Sequence, residues 1–522
     1  MSSNLSQLNS SSPWISDQGD GTFINPVLHA DYSDPDIVRV GEDFYMTASS
    51  FGHIPGLPIL HSRDLVNWSL INHAIQHMPL PGYEKPQHGN GVWAPSIRYH
   101  NSKYWIFYGD PDVGIFMTTA DHPADRWSEL HLVHEGKGLI DACPFWDEDD
   151  QAYLVHAYAE SRSGIRHRLR VCPMSTDGKR LLEGGVDIID DPDKQPLIEG
   201  PKMYKRNGYY YVAAPAGGVS QGWQTVLRST DPMGPYEYRI VLQQGDTEVN
   251  GPHQGGWVEL ESGETWFMHF QHKGAYGRIV HLQPVRWIDN WPVIGIDRHG
   301  DGIGEPVIRM SKPNVSAVCK LEVPATDDEF DQPNLGVQWQ WQANPADHWI
   351  SLQDRKGHLR MFAVSHEDSR GSLIKAPFLL MQKFPALTFE AITQCDVSNL
   401  HSEERTGLIV FGMKYAAMVV KKEGNGEPRL QFIEGDTDTE KVTWEHNITA
   451  EKLQLKVIIK PGGLCTFQYK LDNEQAFEPL EQHPFQAVPG RWVGAKVGLF
   501  AQAQKESRGF ADFEWFRLSG GE

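Results

Sequence analysis

The chain has 522 residues, of which 40% are apolar and 22% charged, as expected for a soluble globular protein of roughly two to four domains. Its net charge of −21 would repel a phosphate backbone or an anionic bilayer, so nucleic acids and membrane surfaces are poor candidate partners. A neutral substrate such as a sugar is unaffected by that charge, and no apolar run approaches the ~18 residues of a membrane-spanning helix.

The N-terminal segment, residues 1–24, is polar and has neither the basic start nor the apolar stretch of a secretory signal. We therefore expect a cytoplasmic protein, or a secreted one if a signal has been removed. The five cysteines are far apart and show no C-x-x-C spacing, which argues against a disulfide framework and a structural zinc site.

Residues 25–310 contain one pattern five times: a short strand, a polar turn and an aromatic-rich strand. A period of about fifty residues with three or four strands per unit is typical of a propeller blade. A single blade cannot bury both faces, so blades pack in a ring. We predict an all-β, five-bladed β-propeller over this range, against the alternative of a large sandwich with coincidental spacing. The aromatic residues that mark the repeats are Tyr45, Trp105, Tyr153, Tyr210 and Trp266.

The pattern ends near residue 310. The stretch 300–334 is rich in glycine, proline and acidic residues, and residues 311–328 within it are predicted to form a linker. Residues 329–522 show strict two-residue alternation, which predicts a β-sandwich. The clearest alternating sets are Leu335, Val337, Trp339 and Trp341, and then Leu453, Leu455, Val457 and Ile459.

Three blades open with an acidic residue: Asp34, Asp141 and Glu199. The innermost strands of a propeller line its channel, so these carboxylates are expected to meet at the channel mouth. Carboxylates that converge repel one another, and a partly buried one keeps its proton. The group would then supply the ionised base and the protonated acid that glycoside hydrolysis needs. Each acid alone is compatible with an ordinary turn, and only their recurrence across blades indicates a site.

Several motifs occur together in a specific order. They resemble those of glycoside hydrolase family 43, the β-xylosidases and α-L-arabinofuranosidases, from Asn25 to about Pro306 and on into the sandwich. The resemblance implies a concanavalin-like sandwich behind the propeller, and an inverting exo-enzyme that releases xylose, and as a second activity arabinose, from non-reducing ends of xylo-oligosaccharides and related hemicellulose fragments. The motifs are NPV, SDPDIV, GVWAPS, LIDACPF, EGPKMYK, NGPHQGGWV and YGRIVHLQPV.

The resemblance also implies roles for individual residues. Asp34 matches the general base that activates water, Glu199 the general acid, and Asp141 the third acid, which tunes the pKa of Glu199 and orients it. His253 matches a channel histidine that helps to hold a hydrated metal ion, usually calcium. Calcium prefers oxygen ligands, so water would supply most of them. No organic cofactor is implied, and a hydrogen-bonded core histidine is the structural alternative.

Arg278 matches an arginine that contacts sugar hydroxyls, and Trp93 and Phe51 match aromatic residues that wall the sugar pocket. A salt bridge and ordinary core packing are their structural alternatives. Two departures from the family pattern put the substrate in doubt: Asp36 is an extra acid beside the base, and Lys202 replaces a histidine after Glu199.

Other functions remain open from the sequence. An arabinan-active or α-L-arabinofuranosidase-only enzyme would use the same acids, whereas a non-catalytic sugar-binding propeller would not require them. A retaining fructosidase-type propeller would need Asn-Asp-Pro-Asn and Arg-Asp-Pro motifs, which are missing, and no H-E-x-x-H motif supports a metallohydrolase. The oligomeric state, the choice between xylose and arabinose, and the role of the sandwich are not determined by the sequence.

Overall fold

The computed structural model describes residues 12–317, 319–369, 371–424 and 426–521. Most of the predicted N-terminal segment, residues 1–11, lies outside this part of the chain, as does Val318 of the predicted linker. Helical structure within it is limited to short turns. These are α1 (Glu160–Ser163) and four 3₁₀ turns at Gly274–Tyr276, Asp347–Trp349, Glu367–Ser369 and Leu373–Lys375.

Five four-stranded antiparallel sheets form the first part of the molecule, and in each the strands follow one another in sequence order. This confirms the predicted five-bladed propeller. A short strand β1 (Thr22–Ile24) precedes the blades. The blade strands are β2 (Asp36–Val40), β3 (Asp43–Thr47), β4 (Gly56–Ser62), β5 (Ser69–Ile75); β6 (Trp93–His100), β7 (Lys103–Asp110), β8 (Gly114–Ala120), β9 (His131–Glu135); β10 (Leu139–Trp146), β11 (Ala152–Tyr158), β12 (Arg168–Met174), β13 (Val186–Asp190); β14 (Lys202–Arg206), β15 (Tyr209–Ala216), β16 (Trp223–Ser229), β17 (Glu237–Leu242); β18 (His253–Glu259), β19 (Thr265–His272), β20 (Arg278–Ile288), β21 (Trp291–Ile294).

The repeating aromatic residues lie in the second strand of every blade, where they pack between neighbouring sheets. Tyr45 of the first blade, for example, meets Tyr104 of the second with ring centres 5.2 Å apart, and Phe145 of the third meets Tyr210 of the fourth at 6.0 Å. Large rings at this position bury the face of each blade against the next, which explains their regular recurrence in the sequence.

The ring closes between the fifth blade and the first, because β2 contacts both β6 and β18. The chain ends of the propeller are also tied together. β1 pairs with β22 (Arg309–Ser311), and the Asn25 side chain donates to the carbonyl oxygens of Leu282 and Val307 at 2.8 and 2.9 Å. These bonds hold the approach to the first blade in place.

Two sheets that share one hydrophobic core form the second part of the molecule. This confirms the predicted β-sandwich. The strands run in the order β23-β27-β37-β29-β30-β31-β32 with β26 beside β37, and β24-β25-β38-β28-β33-β34-β35 with β36 beside β34. Their bounds are β23 (Gln340–Trp341), β24 (Ile350–Ser351), β25 (Leu359–Phe362), β26 (Val364–Ser365), β27 (Leu380–Lys383), β28 (Phe389–Asp396), β29 (Arg405–Phe411), β30 (Tyr415–Lys422), β31 (Pro428–Gly435), β32 (Glu440–Asn447), β33 (Lys452–Lys460), β34 (Leu464–Leu471), β35 (Glu478–Pro479), β36 (Phe485–Gln486), β37 (Lys496–Ala503) and β38 (Phe510–Gly520).

Of the two strands predicted from alternating residues in the sandwich, one is confirmed and the other is wrong. β33 buries every second side chain from Leu453 to Ile459, as predicted. The set from Leu335 to Trp341 is wrong as a strand, because only its last two residues are extended in a sheet. The Asp328 carboxylate accepts hydrogen bonds from the Gly336 N–H at 3.2 Å and from Trp339 Nε1 at 2.9 Å, which stabilises a turn there instead.

The sandwich packs directly on the propeller. Ile54 pairs with Trp341, and Asn344 exchanges hydrogen bonds with the backbone of Met78. In the described residues, no helix has the length and apolar character needed to cross a membrane.

Candidate active site

The first strand of each blade, β2, β6, β10, β14 and β18, is the inner strand. Each has a residue with left-handed backbone near or just before its start. In three blades the pairing of this strand with the second strand shifts register at that residue. Such bulges bend a strand and redirect its side chains, here toward the channel mouth. Asp34 and Asp141 are themselves left-handed residues, whereas Glu199 lies one position before its counterpart, Gly200. The predicted equivalence of the three acids therefore holds for two of them. The five φ angles are 56° at Asp34, 30° at Ala94, 59° at Asp141, 59° at Gly200 and 40° at Gln254.

Asp34 is buried and surrounded by donors. Arg278 Nη1 lies 3.0 Å from one carboxylate oxygen and 3.2 Å from the other. The hydroxyls of Ser33 and Ser49 donate to Oδ2 at 2.7 and 2.6 Å. The Ser49 oxygen in turn accepts the backbone N–H of Ala94 at 2.7 Å, which ties this carboxylate to the second blade. The contacts fix the carboxylate in one orientation.

The pKa of Asp141 is strongly perturbed by its surroundings. Burial raises its pKa well above the usual range, and the negative charges of Glu199 and then Asp34 raise it further. A hydrogen bond from the Gly200 N–H, 2.7 Å from Oδ2, opposes this shift without overcoming it. Both other acids act on Asp141, so the three carboxyl groups do converge, and they do not all ionise together.

Glu199 keeps a 32% exposed side chain, unlike the other two acids. Its Oε1 lies 2.9 Å from His253 Nε2 and 3.5 Å from Gln254 Nε2. This carboxyl group is therefore anchored at one oxygen and open to the pocket, the position from which a proton can be passed to a bound substrate.

His253 is completely buried, and its Nδ1 has no hydrogen-bond partner; the same is true of Gln254 Oε1. Unpartnered acceptors on two consecutive residues fit hydrogen bonds from coordinated water molecules. Among the described residues, the one cluster of three metal-ligand side chains is elsewhere, at Asp246, His299 and Glu305. There Arg298 Nε lies 3.1 Å from Glu305 and already supplies positive charge.

The two aromatic residues predicted to wall the pocket, Trp93 and Phe51, contact each other but differ in exposure. Trp93 donates from Nε1 to the Gly89 carbonyl at 3.0 Å, which fixes its ring at the mouth. Phe51 meets the Trp93 ring edge-on at 6.2 Å but is only 3% exposed, so it supports Trp93 from behind. The second exposed aromatic face beside Trp93 is Trp492, 44% exposed and 6.2 Å away between ring centres.

Trp492 belongs to the sandwich, and no motif in the sequence indicated it. The loop that carries it is held by Asp31 of the propeller: the Gly494 N–H donates to Asp31 Oδ2 at 2.9 Å, and the Arg278 N–H donates to Oδ1 at 2.8 Å. One carboxylate thus aligns the loop of Trp492 with the arginine that binds Asp34, and the Arg278 guanidinium lies 6.0 Å from the Trp492 ring centre.

Asp36 and Lys202, the two residues at which the sequence departs from the family pattern, are both buried and lie deeper along the propeller axis than the three acids. The Asp36 carboxylate accepts hydrogen bonds from Arg98 Nη1 at 2.6 Å and from the Ile97 N–H at 2.9 Å. Lys202 Nζ donates to the Pro95 carbonyl at 3.0 Å and to Ser96 Oγ at 2.9 Å. Asp36 is therefore paired with a cation of its own below the three acids.

Comparisons with known proteins match both parts of the chain. Residues 23–292 match the model for glycosyl hydrolases family 43, and residues 327–519 match that of the beta xylosidase C-terminal concanavalin A-like domain. A putative beta-xylosidase of Xylanibacter ruminicola is 40% identical over 94% of this chain and 88% of its own. A non-reducing end alpha-L-arabinofuranosidase of Bacteroides ovatus is 27% identical over 95% and 94%. The crystal structure of a xylan beta-1,4-xylosidase from Bacillus halodurans is 25% identical, with a TM-score of 0.85 over 95% of this chain and 99% of that one.

Proposed function

This chain belongs to glycosyl hydrolase family 43 and is a glycoside hydrolase, and we propose that it is an inverting exo-β-xylosidase with α-L-arabinofuranosidase as a second activity. Its substrates would be xylo-oligosaccharides and arabinose-bearing hemicellulose fragments, cut at the non-reducing end. The names of two relatives that match 94% and 95% of the chain support both sugars. The two pentoses present hydroxyls in similar positions, so one pocket accepts either.

The observation that carries this proposal is the different surroundings of the three acids. Asp34 is buried among donors and positioned to accept a proton from water, with Arg278 to hold its charge. Glu199 reaches the open pocket and passes its proton to the departing glycosidic oxygen. The pKa of Asp141 is raised by burial and by the charges of Glu199 and Asp34, so the ionisation of the three acids is coupled. In an inverting reaction water attacks from the face opposite the leaving group, which requires the base and the acid to stand on opposite sides of the sugar.

Trp492 supports an exo mode of action. It places a second large ring beside Trp93 at the mouth of the propeller, and it comes from a different domain. Sugar C–H faces pack on such rings, so the two tryptophans would hold one terminal residue and narrow the route for a continuing chain.

For the metal, we propose a hydrated calcium ion near His253, whose Nδ1, together with Gln254 Oε1, would accept hydrogen bonds from the ion's water ligands. A bound cation would supply positive charge behind the acid centre. His253 itself holds Glu199 Oε1 in place, and that role does not depend on the ion.

Rates of 4-nitrophenol release from the β-xyloside and the α-L-arabinofuranoside test the activity. Asp34→Asn is a better base variant than Asp34→Ala because asparagine tolerates the left-handed backbone at φ 56°. We expect the wild type to cleave at least one glycoside and the variant neither, and proton NMR of the first-formed xylose to show the inverted anomer. Retention of configuration, or wild-type rates in Asp34→Asn, would overturn the mechanism.

A further inference from the structure

Two lysine side chains meet at the interface between propeller and sandwich, where the hydrolytic site does not use them. Lys383 of β27 and Lys496 of β37 both donate to Gln340 Oε1, at 3.3 and 3.1 Å. Lys496 is only 2% exposed, whereas Lys383 keeps some contact with solvent. Two ammonium groups that share one acceptor repel each other, and burial away from water raises the free energy of their charged form.

Among the described residues, Asp31 is the carboxylate that acts on both lysines, and it can offset only one of their two positive charges. Both of its oxygens already accept backbone N–H groups, those of Arg278 and Gly494. Two buried histidines also face the lysines: burial and the lysine charges lower the pKa of His53 well below its usual range and that of His73 to about 3, so both are neutral. Burial lowers the pKa of both lysines, and the charge of Lys383 lowers that of Lys496 further, to well below its usual range. With both lysines protonated, the cluster has one positive charge in excess.

A cavity of about 20 Å³ adjoins this cluster, large enough for one water-sized particle. Lys496, Arg491 and His53 lie in its wall, and no acidic side chain is among the described residues that line it. The cavity is partly open, since Arg491 is exposed, and cationic side chains in its wall attract a negative ion. The unpartnered Nδ1 of His53 shows that the protein itself does not complete the polar contacts here.

We propose that this cavity binds one small monovalent anion, chloride in ordinary salt solutions, beside Lys496 at the interface of the two domains. The anion balances the excess positive charge and lets both lysines stay protonated. Gly494 and Lys496 lie two and four residues after Trp492, so the anion also helps to hold that loop against the propeller. The alternative occupant is a water molecule, with Lys496 deprotonated.

Thermal unfolding of the wild-type protein at constant ionic strength tests the proposal, with chloride replacing gluconate stepwise. A ligand that binds only the folded state raises the unfolding temperature in a saturable way. We expect a rise of about 1–3 °C that levels off. The same temperature in both salts, or a change that never saturates, would show that no such site exists.

Lys496→Met removes the excess charge while keeping an apolar stem of similar length, and Lys452→Met removes an exposed lysine on the same domain as a control. The chloride response should disappear in Lys496→Met and persist in Lys452→Met. A response that survives in Lys496→Met would mean that chloride acts elsewhere, and the proposal would fail.

Crystals of the wild type grown in bromide provide a second measurement that does not depend on a variant folding. An anomalous peak in contact with Lys496 Nζ supports the anion site. Electron density of a water molecule there, without anomalous signal at saturating bromide, contradicts it and leaves Lys496 as a buried neutral amine.

Discussion

The propeller mouth and the sandwich loop at 490–495 both contribute to one pocket, but in different ways. The propeller supplies Asp34, Asp141 and Glu199 from inner strands that repeat around a ring. The sandwich supplies Trp492 from a single loop docked through Asp31. The reacting groups thus stand on a rigid repeated frame, whereas the ring that narrows access is added by a second domain. Substitutions in the two regions should therefore separate the chemical step from substrate binding.

The largest effect is expected from Asp34→Asn. Loss of a general base removes about 10²–10⁴-fold in rate, and kcat should fall in that range with little change in KM. Kinetics on the β-xyloside measure it, with Asp121→Asn as a matched control because the Asp121 side chain is 82% exposed. A kcat within tenfold of the wild type would remove Asp34 from the mechanism.

Glu199→Gln should give a loss that depends on the leaving group. Xylobiose has a poor leaving group that needs protonation, and its hydrolysis should fall by about 10²–10⁴-fold, whereas 4-nitrophenol departs with less help and should lose far less. The ratio of the two rates in wild type and variant is the measurement. Equal losses on both substrates would be incompatible with Glu199 as the acid.

Asp141→Asn tests the propeller site through the pH dependence of stability. The pKa of Asp141 is raised in the folded state, so its ionisation costs the wild type stability as pH rises above about 4, the ordinary carboxyl value, through the raised one. Asparagine keeps an acceptor for the Gly200 N–H and tolerates φ 59°. The variant should lose most activity, yet its unfolding temperature relative to wild type should increase from pH 5 to pH 8. A constant difference over this range would mean that Asp141 titrates normally.

Trp492→Ala should have the smallest effect on activity, and unlike the acid variants it should change KM and not kcat. Removing one aromatic face costs about 3–10-fold in binding, which should appear in KM with kcat nearly unchanged. Tyr99→Ala, at a similarly exposed ring (43%) far along the inner strand, is the control. If Trp492→Ala lowered kcat as strongly as the acid variants, the separation between the two regions would be wrong.

The sequence predicts those positions of the candidate site that are tied to the repeat. The five aromatic anchors and the acids before the inner strands follow from spacing, because each blade solves the same packing problem. Glu199 lies one residue away from the position shared by Asp34 and Asp141, and no spacing argument resolves a shift of one residue at a bulge. The strand predicted from Leu335 is wrong for a related reason. The alternating pattern there does not reveal that the Asp328 side chain accepts hydrogen bonds from this segment and stabilises a turn.

The sequence by itself determined the all-β class, the five blades and the sandwich, since these depend on local periodicity, and it singled out three candidate acids by a repeated position. Only the tertiary structure decided how the acids differ and what surrounds them. The raised pKa of Asp141 arises from burial and from charges brought together by separate blades. The placement of Trp492 rests on a hydrogen bond between residues 463 positions apart, Asp31 and Gly494. Contacts of that range leave no local pattern, because the chain conformation at either end does not depend on the other until the domains pack.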